Sequence, residues 1–405
     1  MPARPRRLAL VSMHTSPTDT PGTGDAGGMN VYLASVAGPL VAEGFSVDLV
    51  TRRVGPEQPA VEELPSGARL VRIEAGPPED LSKGRLEHHV EEFAAGLADV
   101  AAYDLVHSHY WLSGVAGLAV ARALGVPHVL SLHTVAALKN ATLAPGDEPE
   151  PHRRLRWERD LARASAATVA ATRAEARAIC EYYGIDPAEV DVVTPGVDHA
   201  VFTPSGPGPT GAAGDLLAQG RPYLLVAARM QPLKGQDVAV EALARLDPVT
   251  RPALVLTGEA SPGHEAYRER VLRRVRELGL TQDVVTVSAV PRPELAALFR
   301  GATLLLVPSR SETFGLVTVE AAASGLPTVA ARVGGLAEAV SDGVSGILVD
   351  GHDPGAWAAA IEDLLADPVR YAALSATALG YAAEFSWTAV AARLAARYRS
   401  LVGAS

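Results

Sequence analysis

Two glutamates eight positions apart flank a glycine that follows a strand-like run. Glu312 precedes Gly315, Glu320 follows it, and the apolar run Leu304–Val307 lies upstream. At about 100° per residue, this spacing brings two helical carboxylates to within about 80° of the same face. N–H groups at a helix start near Gly315 favour a phosphate, and carboxylates accept hydrogen bonds from sugar and ribose hydroxyls. The segment predicts the contacts that a nucleotide sugar requires; an exposed acidic helix is the alternative.

A pair of cations follows the first strand-like run of the second half of the chain. Arg229 and Lys234 come directly after Tyr223–Ala227. Arginine binds phosphate oxygens bidentately, and lysine adds a compact charge. The pair therefore predicts a pyrophosphate clamp, with two solvated surface cations as the alternative.

A glycine-rich loop near the start of the chain matches the dinucleotide fingerprint G-x-G-x-x-G. The match is Gly22–Gly27, and Asp48 follows at about the expected distance of 20 residues. In a dinucleotide site the first glycine follows its strand at once, whereas here His14–Pro21 intervenes. An NAD-dependent oxidoreductase is therefore disfavoured. Gly27 and Gly28 are expected to open a helix whose N-terminus binds an anion such as a pyrophosphate, unless the segment is a flexible surface loop.

Two histidines alternate along another strand-like run. His107 and His109 would share one face of a strand, a spacing that also occurs in metal sites. No cysteine or clustered carboxylate joins them. We interpret them as structural or cleft-lining residues and predict no metal site.

The elements that must position these residues alternate between strands and helices. The predicted strands are Leu8–Val11, Ser46–Thr51, Leu70–Ile73, Asp104–Ser108, Val129–Leu132, Thr168–Ala171, Tyr223–Ala227, Leu254–Thr257, Val284–Val287, Leu304–Val307, Thr328–Ala330 and Ile347–Val349. Helices are predicted at Asn30–Glu43, Arg85–Ala101, Leu112–Leu124 and Ser386–Leu401, and a linker or surface loop at Pro204–Arg221. Such alternation indicates an α/β protein with two doubly wound parallel sheets, which bind ligands at the carboxyl ends of their strands.

Composition excludes several classes of function. A net charge of −10 over 405 residues argues against nucleic acid as a partner. No apolar run is long enough to cross a membrane, and Leu8–Val11 is too short for the core of a signal peptide. Cys180 is the single cysteine, so no intrachain disulfide can form. We expect a cytoplasmic protein.

The three converging signals resemble one family. Glu-x₇-Glu after the turn P-S-x-x-E-x-F-G-L, with the upstream R-x-x-x-x-K, resembles the family-4 retaining glycosyltransferases of GT-B fold. From about residue 7 to 400 the chain resembles one subfamily, the mycothiol-pathway D-inositol-3-phosphate glycosyltransferases of actinobacteria. The stretches that carry this resemblance are 12–17, 21–32, 107–114, 139–140, 195–198 and 349–353.

The resemblance implies two Rossmann-like domains with a cleft between them. Residues 1–203 would bind the acceptor, residues 204–385 the nucleotide-sugar donor, and a C-terminal helix at 386–405 would pack back on the first domain. The implied reaction moves N-acetylglucosamine from UDP-GlcNAc to 1D-myo-inositol 3-phosphate with retention. The resemblance also implies a homodimer. The family is often described with Mg²⁺, but the sequence offers no dedicated carboxylate cage, and we expect no required cofactor.

The resemblance also assigns site residues. The catalytic group it implies is His133, Glu312, Arg229 and Lys234. The donor-binding group it implies is His14, Thr20, Pro21, Gly28, Arg229, Lys234, Val290, Glu312, Phe314, Gly315, Leu316 and Glu320. The acceptor-binding group it implies is Asp25 and Asn30, which would touch the inositol, and Lys83, Tyr110, Thr134 and Arg154, which would bind its phosphate. Arg153 adjoins Arg154, so this last assignment could fall on either residue.

The acceptor side departs from the subfamily pattern. Pro78 and Asp80 replace an aromatic residue and a glycine, and Gly84–Glu87 lacks the usual E-x-L-P. A carboxylate near a phosphate would disfavour its binding unless it points away. A paralogue with another nucleotide sugar and another small acceptor is therefore an alternative. A nucleotide-sugar epimerase and a non-catalytic sugar-nucleotide sensor are alternatives of other classes.

Overall fold

A computed structural model describes residues 5–144 and 146–403 of the chain. Residues 1–4 and 404–405, at the ends of the predicted first domain and C-terminal helix, lie outside the described residues. The described chain forms two sheets flanked by helices, so the expected class, α/β with two doubly wound, mainly parallel sheets, is confirmed.

The first sheet holds eight strands of the described chain in the order β3-β4-β2-β1-β5-β6-β7-β8. Their bounds are β1 Arg6–Ser12, β2 Phe45–Arg52, β3 Val61–Glu63, β4 Arg69–Ile73, β5 Leu105–His109, β6 His128–Ser131, β7 Ala167–Ala170 and β8 Val190–Val192. All neighbouring pairs are parallel except β3 with β4.

The second sheet holds six parallel strands of the described chain in the order β11-β10-β9-β12-β13-β14. Their bounds are β9 Tyr223–Ala227, β10 Ala253–Thr257, β11 Val284–Val287, β12 Leu304–Val307, β13 Thr328–Ala331 and β14 Gly346–Val349. The predicted boundary at residues 203–204 falls in the connection between β8 and β9.

Helices cover both faces of each sheet. Their bounds are α1 Gly28–Ala42, α2 Lys83–Leu86, α3 Val90–Val100, α4 Trp111–Leu124, α5 Ala136–Ala141, α6 His152–Ala164, α7 Arg173–Tyr183, α8 Gly211–Ala218, α9 Gln236–Leu243, α10 Glu265–Glu277, α11 Arg292–Gly301, α12 Leu316–Ala323, α13 Leu336–Ala339, α14 Pro354–Leu365, α15 Pro368–Ala382 and α16 Trp387–Gly403. None of these helices combines the length and apolarity needed to cross a bilayer.

The central strands are apolar without alternation because helices bury both of their faces. In β1, Leu8 and Leu10 pack in a core with α1 and α16, whereas Ala9 and Val11 face α3 and α4. All four are at most 1% exposed. The loop after the carboxyl end of β1 hydrogen-bonds to the chain that follows β10 of the second sheet.

The last helix returns to the first sheet, as the resemblance implied. Trp387, Leu394 and Tyr398 of α16 are buried in the core that α1 and β1 share. The Tyr398 hydroxyl lies 2.6 Å from Nδ1 of His107, so this strand histidine helps to anchor the helix.

Two segments differ from the sequence predictions. The stretch predicted as a linker, 204–221, contains α8, because Ala213 and Leu216 are buried against the second core. The single helix predicted at 85–101 is split into α2, a 3₁₀ turn and α3. In the 3₁₀ turn Glu87 pairs with Arg153 of α6 at 2.9 Å, which holds this turn toward α6. β3 and β8 were not predicted, since each has only three residues.

Candidate active site

Two adjoining cavities open where the carboxyl ends of the two sheets face each other. Their volumes are about 370 and 200 Å³. Both cavities are lined by Gly28 from the first sheet's side and by Arg229, Lys234 and Glu312 from the second. These predicted residues therefore meet where the cavities join.

The smaller cavity is built mainly by the second sheet. Pro21, Val290 and Glu320 line it, as expected of donor-binding residues. The Glu320 carboxylate is buried and accepts a hydrogen bond from Nη1 of Arg292 at 2.9 Å. The sequence analysis did not identify Arg292. Like Arg229 after β9, Arg292 follows a strand, β11, at the carboxyl edge of the sheet. An apolar slot that ends in a fixed carboxylate suits a base and the hydroxyls of a ribose.

The two clamp cations already have anionic or carbonyl partners. Lys234 Nζ lies 2.5 Å from Oε2 of Glu312. Nη1 of Arg229 donates to the Gly24 carbonyl at 3.1 Å and lies 3.7 Å from a carboxyl oxygen of Asp25. A pyrophosphate would exchange these contacts for stronger ones to its own oxygens.

Two helix N-termini point at the junction of the cavities. α1 begins at Gly28, and α12 begins after Gly315, whose φ of +92° requires glycine. Leu316 lines both cavities, and Phe314 lines the larger one. The aligned N–H groups and the positive ends of both helix dipoles favour an anion at this junction.

Asn30 lines the larger cavity, but its amide is engaged within the protein. Oδ1 accepts from the Gly27 N–H at 2.8 Å, and Nδ2 donates to Oγ1 of Thr15 and the carbonyl of Ser16 at 2.7 and 2.6 Å. Asn30 therefore fixes the glycine-rich loop against α1. Its position supports a role in shaping the site.

The four residues assigned to an acceptor phosphate converge on the larger cavity. The Arg154 guanidinium lies 4.7 Å from the centroid of the Tyr110 ring, and Lys83 Nζ lies 5.8 Å from it. Nη2 of Arg154 donates to Oγ1 of Thr134 at 2.8 Å. Lys83 Nζ also lies 2.7 Å from Asp25, the further acceptor-side residue named from the sequence.

The two adjacent arginines differ in burial. The side chain of Arg154 is 4% exposed and lines the cavity. The side chain of Arg153 is 49% exposed and pairs with Glu87. Arg154 is therefore the cavity residue.

Two histidines of the larger cavity are held neutral by burial. The His14 ring lies 4.4 Å from that of Tyr110, and burial lowers its pKa to about 3. His133 has a φ of +58°, and burial lowers its pKa to about 4. Nε2 of His133 lies 2.8 Å from Nδ1 of His109, so one of the two strand histidines supports the histidine that the resemblance assigned to catalysis.

These neutral imidazoles make stability fall in acid. Between the pKa of about 3 in the folded state and the ordinary value near 6.5, the unfolded chain binds a proton that folded His14 does not. The free energy of unfolding should therefore decrease by about 1.4 kcal/mol per pH unit for each such histidine well below pH 6.5. Urea unfolding at pH 5 to 7 should show a shallower slope for His14→Gln, whereas the exposed His88→Gln should keep the wild-type slope. Equal slopes for all three proteins would contradict this assignment.

Some sequence-predicted features lie away from the cavities. Thr20 is exposed and outside both cavities, and its carbonyl accepts from the Thr23 N–H. Pro78 and Asp80 are exposed on a loop that Arg52 holds through the carbonyls of Pro77 and Glu79. The predicted conflict between Asp80 and a bound phosphate therefore does not arise at the cavity wall.

The connection between β12 and α12, residues 308–315, is called the donor loop here, and it makes contacts across the cleft to the first sheet's side. Thr313 Oγ1 donates to the His133 carbonyl at 2.6 Å, and Thr172 Oγ1 donates to the Thr313 carbonyl at 3.1 Å. Glu338 accepts from the N–H groups of Arg173 and Ala174 at the start of α7. The loop that carries Glu312 is thus hydrogen-bonded to the first sheet's side of the cleft.

The sequence contains three lysines among 36 basic residues, at positions 83, 139 and 234. All three line the larger cavity. Lys139 was noted only as part of a motif, and its partner Glu150 was not noted at all. Because lysine is rare in this arginine-rich chain, its few positions could have drawn attention to Lys139. Among the described residues, no group of three His, Cys, Asp or Glu is placed to hold a metal ion.

Comparison with known proteins places the chain among glycosyltransferases. A model of Glycosyltransferase Family 4 matches residues 26–201, and a model of Glycosyl transferases group 1 matches residues 213–381. A D-inositol 3-phosphate glycosyltransferase of Nocardiopsis dassonvillei is 44% identical over 98% of this chain and 95% of its own length. One from Thermobispora bispora is also 44% identical, with the same shares covered. A solved sucrose-phosphate synthase of Thermosynechococcus elongatus superposes with a TM-score of 0.89 at 28% identity, over 99% of this chain and 100% of its own.

Proposed function

The chain belongs to the GT-B glycosyltransferase family of the D-inositol 3-phosphate glycosyltransferases, and from this premise we propose that it transfers N-acetylglucosamine from UDP-GlcNAc to 1D-myo-inositol 3-phosphate. The observation that carries the proposal is the presence of two separate groups of cationic side chains in one cleft, each suited to bind an anion. One is formed by Arg229, Lys234 and two helix N-termini, and the other is centred on Arg154. A donor pyrophosphate and an acceptor phosphate require this combination. The reaction would serve mycothiol biosynthesis.

On the donor side, each part of a UDP-sugar has a partner of suitable chemistry. Glu320 and Arg292 lie in the smaller cavity for the ribose, and Arg229 and Lys234 stand at the junction for the pyrophosphate. Glu312 is placed to accept from hydroxyls of the transferred sugar once Lys234 turns to the phosphates. The cations would stabilise the charge that develops on departing UDP.

We propose a front-face substitution that retains the anomeric configuration. The bond between the acceptor oxygen and the anomeric carbon forms while the bond to the UDP oxygen breaks, and the acceptor proton passes to the departing phosphate. The neutral imidazole of His133 and its carbonyl border the larger cavity beside this centre. We propose that Arg229 and Lys234 compensate the charge on departing UDP, without a required metal ion. The homodimer remains a proposal from the family resemblance.

The proposed function is tested by incubating purified protein with UDP-GlcNAc and 1D-myo-inositol 3-phosphate, following UDP release and product mass. We expect UDP release that depends on the acceptor, together with the GlcNAc–inositol phosphate product. Epimerised donor without any acceptor would indicate the epimerase alternative. Donor binding with turnover only on other acceptors would indicate a paralogue.

Lys83→Ala should raise the KM for the acceptor about tenfold, with little change in the KM for UDP-GlcNAc. The variant removes one charge-assisted contact to the acceptor phosphate, worth about 1.4 kcal/mol, and Lys83 lies outside the smaller cavity that would hold the donor's base and ribose. Initial rates over a matrix of both substrates measure the two constants. Arg85→Ala, a more exposed cation on the same helix, is the matched control and should resemble wild type. Equal effects of the two variants would exclude a specific contact by Lys83.

A further inference from the structure

Glu150 bridges two cations in the wall of the larger cavity. Its Oε2 lies 2.9 Å from Nη1 of Arg154, and its Oε1 lies 2.7 Å from Nζ of Lys139. Burial raises the pKa of this carboxyl, but the two cations outweigh burial and hold the pKa below its ordinary value. A charged carboxylate thus occupies N–H donors that face the cavity, where an anionic ligand would need them.

The carboxylate of Glu150 is not what holds its segment in place. The main chain there is fixed by Asn140, whose Oδ1 accepts from the Glu150 N–H at 2.6 Å and whose Nδ2 donates to the Glu150 carbonyl at 3.0 Å. These bonds persist if the side chain changes rotamer. The carboxylate can therefore leave its cations without unfolding the loop.

The second carboxylate beside Arg154 differs from Glu150 in this respect. Glu158 is fully buried and contacts Nε of Arg154 at 2.6 Å. It also accepts from the Ala136 N–H and from the Tyr183 hydroxyl, at 2.9 and 2.5 Å. Glu158 is consequently a permanent partner of the guanidinium, and Glu150 is the exchangeable one.

The charges explain why exchange matters. With both carboxylates in place, Arg154 and Lys139 are matched in number by Glu150 and Glu158, so these four side chains together carry no net charge to attract an anion. When the Glu150 carboxylate moves away, the remaining three side chains carry one net positive charge, and the N–H donors of Arg154 and Lys139 that it occupied become available. Lysine suits such an exchange because its ammonium is a flexible point charge.

We propose that Glu150 is a displaceable counter-ion, and that Lys139 joins Arg154 in binding the acceptor's phosphate when it leaves. The inference deepens the proposed function and rests on its anionic acceptor. It makes Glu150 a specificity-determining residue, because a neutral polyol cannot compete for the two cations while a phosphate monoester can.

The test compares Glu150→Gln with Glu148→Gln in the full-length protein. Both variants lose one negative charge from the same loop, but Glu148 is exposed and outside the cavity. Calorimetric titration with inorganic phosphate should give a Kd about tenfold lower for Glu150→Gln than for Glu148→Gln, since a competing charge has been removed. Lys139→Gln should raise the Kd about tenfold. Thermal unfolding of each variant confirms that it is folded.

Other results would overturn the inference. If Glu150→Gln binds phosphate no more tightly than Glu148→Gln, the carboxylate is not a competitor for the anion. If Glu150→Gln raises the KM for inositol 3-phosphate and for myo-inositol alike, the wild-type Glu150 carboxylate accepts hydrogen bonds from ring hydroxyls instead. Turnover on a different phosphorylated acceptor, with the Kd pattern intact, would refute the proposed substrate and still support the counter-ion.

Discussion

Lys234→Met should lower kcat/KM for UDP-GlcNAc by about 10²–10³-fold, the cost of removing one donor to developing charge. Lys234 lies at the junction of the two cavities and pairs with Glu312 at 2.5 Å. Its loss removes a cation from the departing UDP and leaves the Glu312 carboxylate without its partner. Most of the effect should fall on kcat, because charge on the leaving oxygen grows as the bond breaks. Steady-state kinetics with varied donor measure this.

The matched control for this variant is Arg245→Met, which removes an exposed cation from the turn after α9 of the same domain. It should stay within about twofold of wild type, since surface ion pairs contribute little. If Lys234→Met also stayed in that range, the junction would not be the site of the leaving phosphate.

Gly335→Ala should reduce kcat/KM about 10²-fold or more and destabilise the fold by about 2–4 kcal/mol. A Cβ at this position would lie 1.8 Å from the carbonyl oxygen of Thr313, and the obstacle is main chain that cannot rotate away. The Gly335 N–H donates to the Glu312 carbonyl at 2.8 Å, so the glycine is packed directly under the donor loop. The variant must push this loop toward the cavities, and small misplacements of catalytic groups carry large rate costs.

Gly380→Ala is the control for Gly335→Ala. Gly380 lies in α15, and a Cβ there meets no atom within 4 Å. Alanine should stabilise this helix by about 0.5–1 kcal/mol and leave activity unchanged. Denaturant unfolding measures the stability of each variant, and steady-state kinetics with varied donor measure its kcat/KM. A Gly335→Ala protein with wild-type stability and activity would show that the donor loop does not need this close approach.

The strands of the fold could be predicted because strands that are buried on both faces consist of continuous apolar residues. Tyr223–Ala227 and Val284–Val287 match the observed bounds. The helix inside the predicted linker could not be seen in the same way. Its glycines and prolines suggested a loop, and only the packing of Ala213 and Leu216 against the second core makes the segment helical. The bend at 87–89 likewise depends on a tertiary ion pair.

The site residues also fall into those that local sequence and topology predict and those that depend on tertiary contacts. Arg229, Lys234 and Glu312 follow strands at the ligand edge, so topology alone predicts that they converge. Lys83 and Arg154 were assigned through family resemblance, because neither has a local signal. Glu150 was missed, since its role depends on which cations meet it in the folded chain.

The central claim is that one cleft holds donor and acceptor phosphates on different cations, and the three lysines allow it to be measured directly. The protein would be acetylated briefly with an amine-specific reagent, alone, with UDP, and with 1D-myo-inositol 3-phosphate, and each lysine quantified by mass spectrometry. UDP should protect Lys234, and inositol 3-phosphate should protect Lys83 and Lys139. Protection of Lys234 by inositol 3-phosphate, with Lys83 and Lys139 still reactive, would contradict the account.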